Sequence, residues 1–124
     1  MTRWIVDGMN VIGSRPTGWW RDRPRAMREL VEELKAFAED NGEPVTAVLD
    51  GMSFDLEGGE RVTVRFASRR GPNAADDDIA ALVAADDDPT DLSVVTSDAD
   101  LARRVREAGA TVVGAGEFRR RLDG

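Results

Sequence analysis

The stretch RWIVDG, residues 3–8, decides the fold. Trp4, Ile5 and Val6 follow one another without a polar break, and the run stops at Asp7 and Gly8. A run this short and apolar reads as a buried strand entering a turn. A strand with one wet face would alternate; this one does not, so both its faces should be covered. The same pattern returns at VTAVLDG (45–51), which again ends in Asp-Gly, and at DLSVVTSD (91–98). ERVTVRFAS (60–68) alternates Val62, Val64 and Phe66 with Thr63 and Arg65, and ATVVGAG (110–116) supplies a fifth strand.

Helical patterns lie between the strands. From Arg25 to about Asp40, the residues Met27, Leu30, Val31, Leu34, Phe37 and Ala38 recur at helical spacing. Asn41-Gly42 and Pro44 close that helix. AADDDIAALV (74–83) opens a second helix, and DADLARRVREAG (98–109) forms a third with Gly109 at its C-terminal cap. EFRRRL (117–122) reads as a last helical turn, and SRPTGWWRDRP (14–24) as a loop. Strand and helix alternate with no repeat and no linker. The expectation is one α/β domain over residues 1–124, with a mainly parallel five-stranded sheet covered by helices on both faces.

Composition narrows the chemistry. The chain has no histidine, cysteine or tyrosine, and its only lysine is Lys35. That excludes His-based acid/base catalysis, Ser-His-Asp triads, thiol chemistry and His- or Cys-bound zinc. Carboxylates, hydroxyls, amides and arginines remain, and carboxylates favour hard cations such as Mg²⁺ or Mn²⁺. No apolar run approaches the roughly 20 residues that span a membrane. MTRWIVDG carries no signal-peptide core. A cytoplasmic protein with no membrane contact is the expectation; monomer and homodimer both stay open.

The net charge of −7 opposes a nucleic-acid partner, but its distribution does not. Arg15, Arg21, Arg23, Arg25 and Arg28 face one acid, Asp22, within residues 15–28. Arg61, Arg65, Arg69 and Arg70 stand without an acid in 61–70. The acids gather at 76–78, 86–88 and 98–100. Basic rims around an acidic centre fit that pattern, as does an ordinary mixed surface.

Three expected strands end in an aspartate: Asp7, Asp50 and Asp98. In an open parallel sheet the ligand site lies beyond the carboxyl ends of the strands, so these segments can deliver carboxylates to one place. Aspartate there also caps turns and helices. In the run Asp76-Asp77-Asp78, helix geometry sets Asp76 at the edge of the face that buries Ile79 and Val83. Asp78 lies on the other flank, one turn before Leu82, and Asp77 points to solvent as a charge favoured at a helix start. In TSDADL (96–101), Ser97 is expected to cap the helix with Asp100 as its capping-box partner, which leaves Asp98 as the metal candidate. Asn10, three residues after Asp7, offers an amide for a carboxylate or a phosphate oxygen.

IVDGMNVIGS, AADDDIAALV and VVTSDADLARRV resemble, in that order, the three acidic motifs of NYN domains. These belong to the PIN-like nuclease superfamily, and the YacP-like branch is the most similar. The resemblance implies a PIN-like three-layer sandwich whose acidic residues bind Mg²⁺ or Mn²⁺ for RNA cleavage. By that resemblance Asp7 matches the first acid, Asn10 the asparagine of D-G-x-N, and Asp76 the acid of A-D-x-x-I. Asp98 matches the third acid with Asp100 its companion, and Asp50 matches a looser Asp-Gly after the second strand.

The sequence therefore leads to a metal-dependent endoribonuclease. Asp7, Asp76 and Asp98 would be catalytic metal ligands with Asp100; Asn10, Asp50 and Asp78 would support them. Arg15, Arg21, Arg65, Arg69 and Arg70 would hold the RNA backbone, and Trp19 or Trp20 would stack on unpaired bases unless they serve the core. RNA, including ribosome-associated mRNA, is the expected partner. One alternative is a non-catalytic RNA- or ribosome-binding module of the same fold. Another is an aspartyl-phosphate receiver or phosphatase, which fits poorly: Asp7 is followed by Gly-Met-Asn rather than D-x-D, and Lys35 lies in mid-helix.

Overall fold

The computed structural model describes residues 1–69, 71 and 73–124; Arg70, one of the expected RNA contacts, lies outside the described residues. Five strands, β1 (Arg3–Asp7), β2 (Val45–Leu49), β3 (Val62–Phe66), β4 (Leu92–Val95) and β5 (Thr111–Val113), form one sheet. Their order is β3-β2-β1-β4-β5 and every pairing is parallel. The expected α/β class and five-stranded sheet are therefore present, and the described sheet is wholly parallel.

Five α-helices cover the sheet: α1 (Gly8–Gly13), α2 (Arg23–Asn41), α3 (Ala74–Ala85), α4 (Ala99–Glu107) and α5 (Ala115–Asp123). Side-chain alternation along the strands sorts the core in two. Trp4, Val6, Ala47 and Leu49 pack with α1, α2 and α5. Ile5, Val48, Leu92 and Val94 pack with α3 and α4. This is why RWIVDG shows no alternation: Trp4, Ile5 and Val6 are all buried, on opposite faces. Trp4, Phe37 and Phe118 meet at centroid distances of 5.1–5.5 Å and fill the first layer.

Local sequence sets the ends of α2. The Asp22 side chain accepts from the Arg25 amide at 3.2 Å, Pro24 lies in the first turn, and Gly42 closes the helix at φ 65°. The expected apolar stripe holds: Met27, Leu30, Val31, Leu34 and Ala38 are buried, and Phe37 packs beside them. On the opposite face Arg3 reaches both Asp86 oxygens at 2.8 Å, and also Asp91 and the Asp88 carbonyl. It ties the start of β1 to the end of α3 and the turn before β4.

Two stretches differ from expectation. The turn expected after Asp7 is helix α1, which starts at Gly8 without a connecting loop. A Cβ at Gly8 would collide with Leu49 Cδ2 and lie 3.3 Å from the Val48 carbonyl. Only glycine lets the chain cross β2 this closely, and that crossing converts the turn into a helix start. Residues 114–116, expected at the end of β5, lie outside it. Ala115 opens α5, a helix of 9 residues that reaches Asp123 in place of the single last turn expected.

Candidate functional site

Period-two alternation along three strands builds the site. Ile5, Val48 and Val94 face α3 and α4, so two residues further on Asp7, Asp50 and Thr96 point the same way. Asp7 and Val48 are register partners, and Val6 pairs with Val95. The chain winds from β1 outward through β2 to β3, then crosses to β4 and β5, so the topological switch point lies between β1 and β4. Ligands of open parallel sheets bind in the crevice at such a point. Asp7 stands there, and α3 brings Asp76 over it.

Asp7 is 4% exposed. Among the described residues, the one side-chain donor that reaches it is the Thr96 hydroxyl, at a long 3.3 Å. Burial above all, then the charge of Asp76, pushes its pKa up to about 7; Thr96 and the Asn10 amide pull partly back, and Asp50 adds to the rise. Asp76 is also raised, first by burial and then by Asp98 and Asp50, while Arg104 opposes the rise. Asp7, Asp50, Asp76 and Asp98 thus form one set of mutually repelling carboxylates delivered by four segments.

A hydrogen-bond chain fixes the loop after β4. Asn10 Oδ1 accepts from the Ser97 amide at 2.7 Å, and Thr96 Oγ1 accepts from the Asp98 amide at 3.1 Å. Asp98 Oδ1 accepts from the Leu101 amide at 2.8 Å, so Asp98 itself caps α4. This corrects the capping box expected of Ser97 and Asp100. Ser97 Oγ instead accepts from the Ala115 amide at 3.0 Å, at the start of α5, and exposed Asp100 pairs with Arg103 at 2.6 Å. Ser97 is pulled away because α1 and α5 both border this loop. Asp50 Oδ1 likewise accepts from the Ala75 amide at 3.2 Å, at the start of α3.

The triple aspartate divides into three roles. Asp76 turns toward the acid cluster, as helix geometry predicts. Asp78 accepts from the Ser68 amide at 2.6 Å and hydroxyl at 2.7 Å, fastening the end of β3 to α3. Asp77 stays partly exposed, as expected, but it is also paired: Arg104 Nη1 donates to its Oδ1 at 2.9 Å and Arg69 to its Oδ2. Single-helix geometry could not show this, because both arginines arrive from other elements. The sequence reading does not reach Thr96 or Arg104, and it gives Ser97 a different partner. Thr96 had a readable signal, since it stands two residues after Val94, just past the end of the strand beside β1.

The expected RNA contacts are spread out. Arg15 makes a bidentate pair with Glu33 at 2.7 Å and lies 3.5 Å from Asp123, anchoring the end of α1 to α2. Trp20 is 60% exposed, stands edge-on to Trp19 at 5.9 Å, and carries the Arg21 guanidinium 6.0 Å from its ring. Trp19 packs partly against the core. Arg65 is exposed on the edge strand β3, and Arg69 adjoins the acids through Asp77.

The donor set suits a hard divalent cation: oxygen ligands, excess negative charge, and a buried carboxylate without a cationic partner among the described residues. Asp50 and Asp98 each give one oxygen to a helix amide, and no protein donor among the described residues takes the other. Among the described residues, no three acidic groups are gathered tightly enough to form a ready-made ion cage.

A wholly parallel sheet of this order, with acidic side chains around its switch point, defines an open α/β domain whose candidate ligand site lies beyond the strand ends. The chain belongs to the YacP-like NYN domain family, whose family model matches residues 4–124. It is similar to the crystal structure of Rae1 (YacP) from Bacillus subtilis, with 26% identity and a TM-score of 0.78 over 99% of this chain and 74% of that one. The W164L mutant of the same protein gives 26% identity and a TM-score of 0.80, over 99% and 76%. No curated protein matches the chain. Among the described residues no helix is long and apolar enough to cross a membrane.

Proposed function

We propose that the chain is a divalent-metal-dependent endoribonuclease that cleaves RNA phosphodiester bonds with water. Asp7 carries this reading. A nearly inaccessible carboxylate, faced by Asp76 and Asp50 and eased among the described residues only by the long Thr96 hydroxyl contact and the Asn10 amide, is costly to hold there in its charged form. Perturbed carboxylates in a crevice mark functional sites. Asp7, Asp76 and Asp98 would hold Mg²⁺ or Mn²⁺, with Asp50 beside them and Asp100 at the exposed edge. The bound ion would supply a water nucleophile at neutral pH and offset charge on the phosphate.

The chain's own residues do the rest. Asn10 holds the loop that presents Asp98, and Asp78 holds the loop that precedes α3. Arg21, Arg65 and Arg69 offer guanidiniums to the RNA backbone, and exposed Trp20 offers a face to an unpaired base. The test is cleavage of labelled RNA with Mn²⁺ or Mg²⁺ against EDTA, for wild type, Asp7→Asn and Asp98→Asn. Metal-dependent cleavage, lost in both variants, is expected. No cleavage by pure wild-type protein, or equal cleavage by the variants, would sink the proposal.

A second reading is a non-catalytic RNA- or ribosome-binding module. It is favoured by the capping roles of Asp50 and Asp98, which give both acids structural work. On that reading Mn²⁺ binds and RNA binds, but no turnover follows.

A further inference from the structure

Asp77 lies next to Asp76 in the first turn of α3. A lone charge there needs only water and the helix dipole. Instead, both its oxygens are taken by guanidiniums from different elements, Arg104 of α4 and Arg69 of the β3–α3 loop. Partly exposed ion pairs of this kind add little stability. The arrangement does fix two planar cations against one carboxylate, next to Asp76 in the first turn of α3. Arg104 is the positive charge among the leading influences on Asp76. Each guanidinium has five donors, and each makes a single hydrogen bond among the described residues. Two forks with donors to spare suit the oxygens of a phosphate.

We propose that Asp77 is a positioning residue that holds Arg104 and Arg69 as a clamp for a backbone phosphate of single-stranded RNA, beside the bond to be cut. This rests on the ribonuclease reading above. The acid cluster repels the RNA backbone, and the clamp supplies the opposing charge where the phosphate must enter. Asp77 also joins α3 to α4, the helices that carry Asp76 in the first turn and Asp98 at the N-cap, so the clamp and the acids share one frame.

The experiment uses a labelled oligouridylate and four proteins: wild type, Asp77→Asn, Arg104→Gln and Arg104→Lys. Binding is measured in EDTA across a KCl series, and kcat and KM with Mn²⁺. Melting temperature should match wild type in all three variants, because these partly exposed ion pairs add little stability, and this separates the clamp from the fold. Arg104→Gln should flatten the slope of log K against log salt by about 0.7, the loss of one phosphate contact on a single strand. Arg104→Lys should restore that slope but not kcat, because an ammonium has no fork. Asp77→Asn removes a negative charge, so RNA should bind at least as tightly, yet kcat should fall roughly tenfold or more as the guanidiniums lose their register. A plain surface charge predicts the same tighter binding but a kcat that is unchanged or higher. Wild-type kcat in Asp77→Asn, an unchanged slope in Arg104→Gln, or full activity in Arg104→Lys would each overturn the clamp. If wild type cleaves no RNA, the ribonuclease reading fails, and the EDTA slope alone decides the clamp.

Discussion

Asp7→Asn should make the metal-free protein more stable while abolishing its proposed activity. The Asp7 carboxyl is pushed up to about 7 from an ordinary 3.8, chiefly by burial and then by Asp76. A carboxylate raised in the folded state binds its proton more tightly there than in the unfolded chain. The folded state is then unpenalised below about pH 4, loses stability as pH rises toward 7, and carries the full penalty above it. Three pH units correspond to about 4 kcal/mol, an upper limit because water and neighbouring groups relax around the charge. Asparagine keeps an acceptor for Thr96 and carries no charge to desolvate. At roughly 4 °C per kcal/mol for a chain of this size, the variant should melt several degrees higher in EDTA at pH 8, up to about 15 °C. The gain should shrink as pH falls and vanish near pH 4. Thermal melts of both proteins in EDTA from pH 4 to 8 test this. A variant that is no more stable than wild type at pH 8, or whose advantage does not depend on pH, would refute the account of Asp7 as an unneutralised buried charge.

Gly8→Ala should destabilise the fold by about 1–3 kcal/mol in urea unfolding, because its Cβ would drive into Leu49. Asn10→Ala should cost about 1–2 kcal/mol by orphaning the Ser97 amide, and should lower kcat more than it raises KM, since it frees the loop that carries Asp98. Trp20→Ala should leave the melting temperature in place, because the side chain is 60% exposed, and should weaken oligouridylate binding by about 1–3 kcal/mol in fluorescence anisotropy.

The fold was legible because Trp4-Ile5-Val6 and the matching runs at β2 and β4 can only be strands covered on both faces. Asp76 was legible for a similar reason, since one helix and its buried face fix where that side chain goes. Asp77, Ser97 and Arg15 were not, because their partners arrive from distant segments: Arg104 from α4, the Ala115 amide from α5, Glu33 from α2. Helix α1 was hidden by the reading of Asp-Gly as a turn. Gly8 is instead small so that a helix can start against β2, and that requirement exists only once β2 lies alongside.

The capping bonds of Asp50 and Asp98 decide how the site should be probed. Each holds the first turn of a helix with one oxygen and leaves the other without a protein donor among the described residues. Alanine at either place removes a cap worth about 1 kcal/mol as well as a ligand, so lost activity would not distinguish a frayed helix from a lost ion. Asparagine caps as well as aspartate and removes only the charge. Asp98→Asn should therefore keep α4 intact and the melting temperature close to wild type, yet bind Mn²⁺ more weakly by calorimetry. Were Asp98→Asn to bind Mn²⁺ as tightly as wild type, Asp98 would be a cap alone, and the ion would have to be held by Asp7 and Asp76 without it.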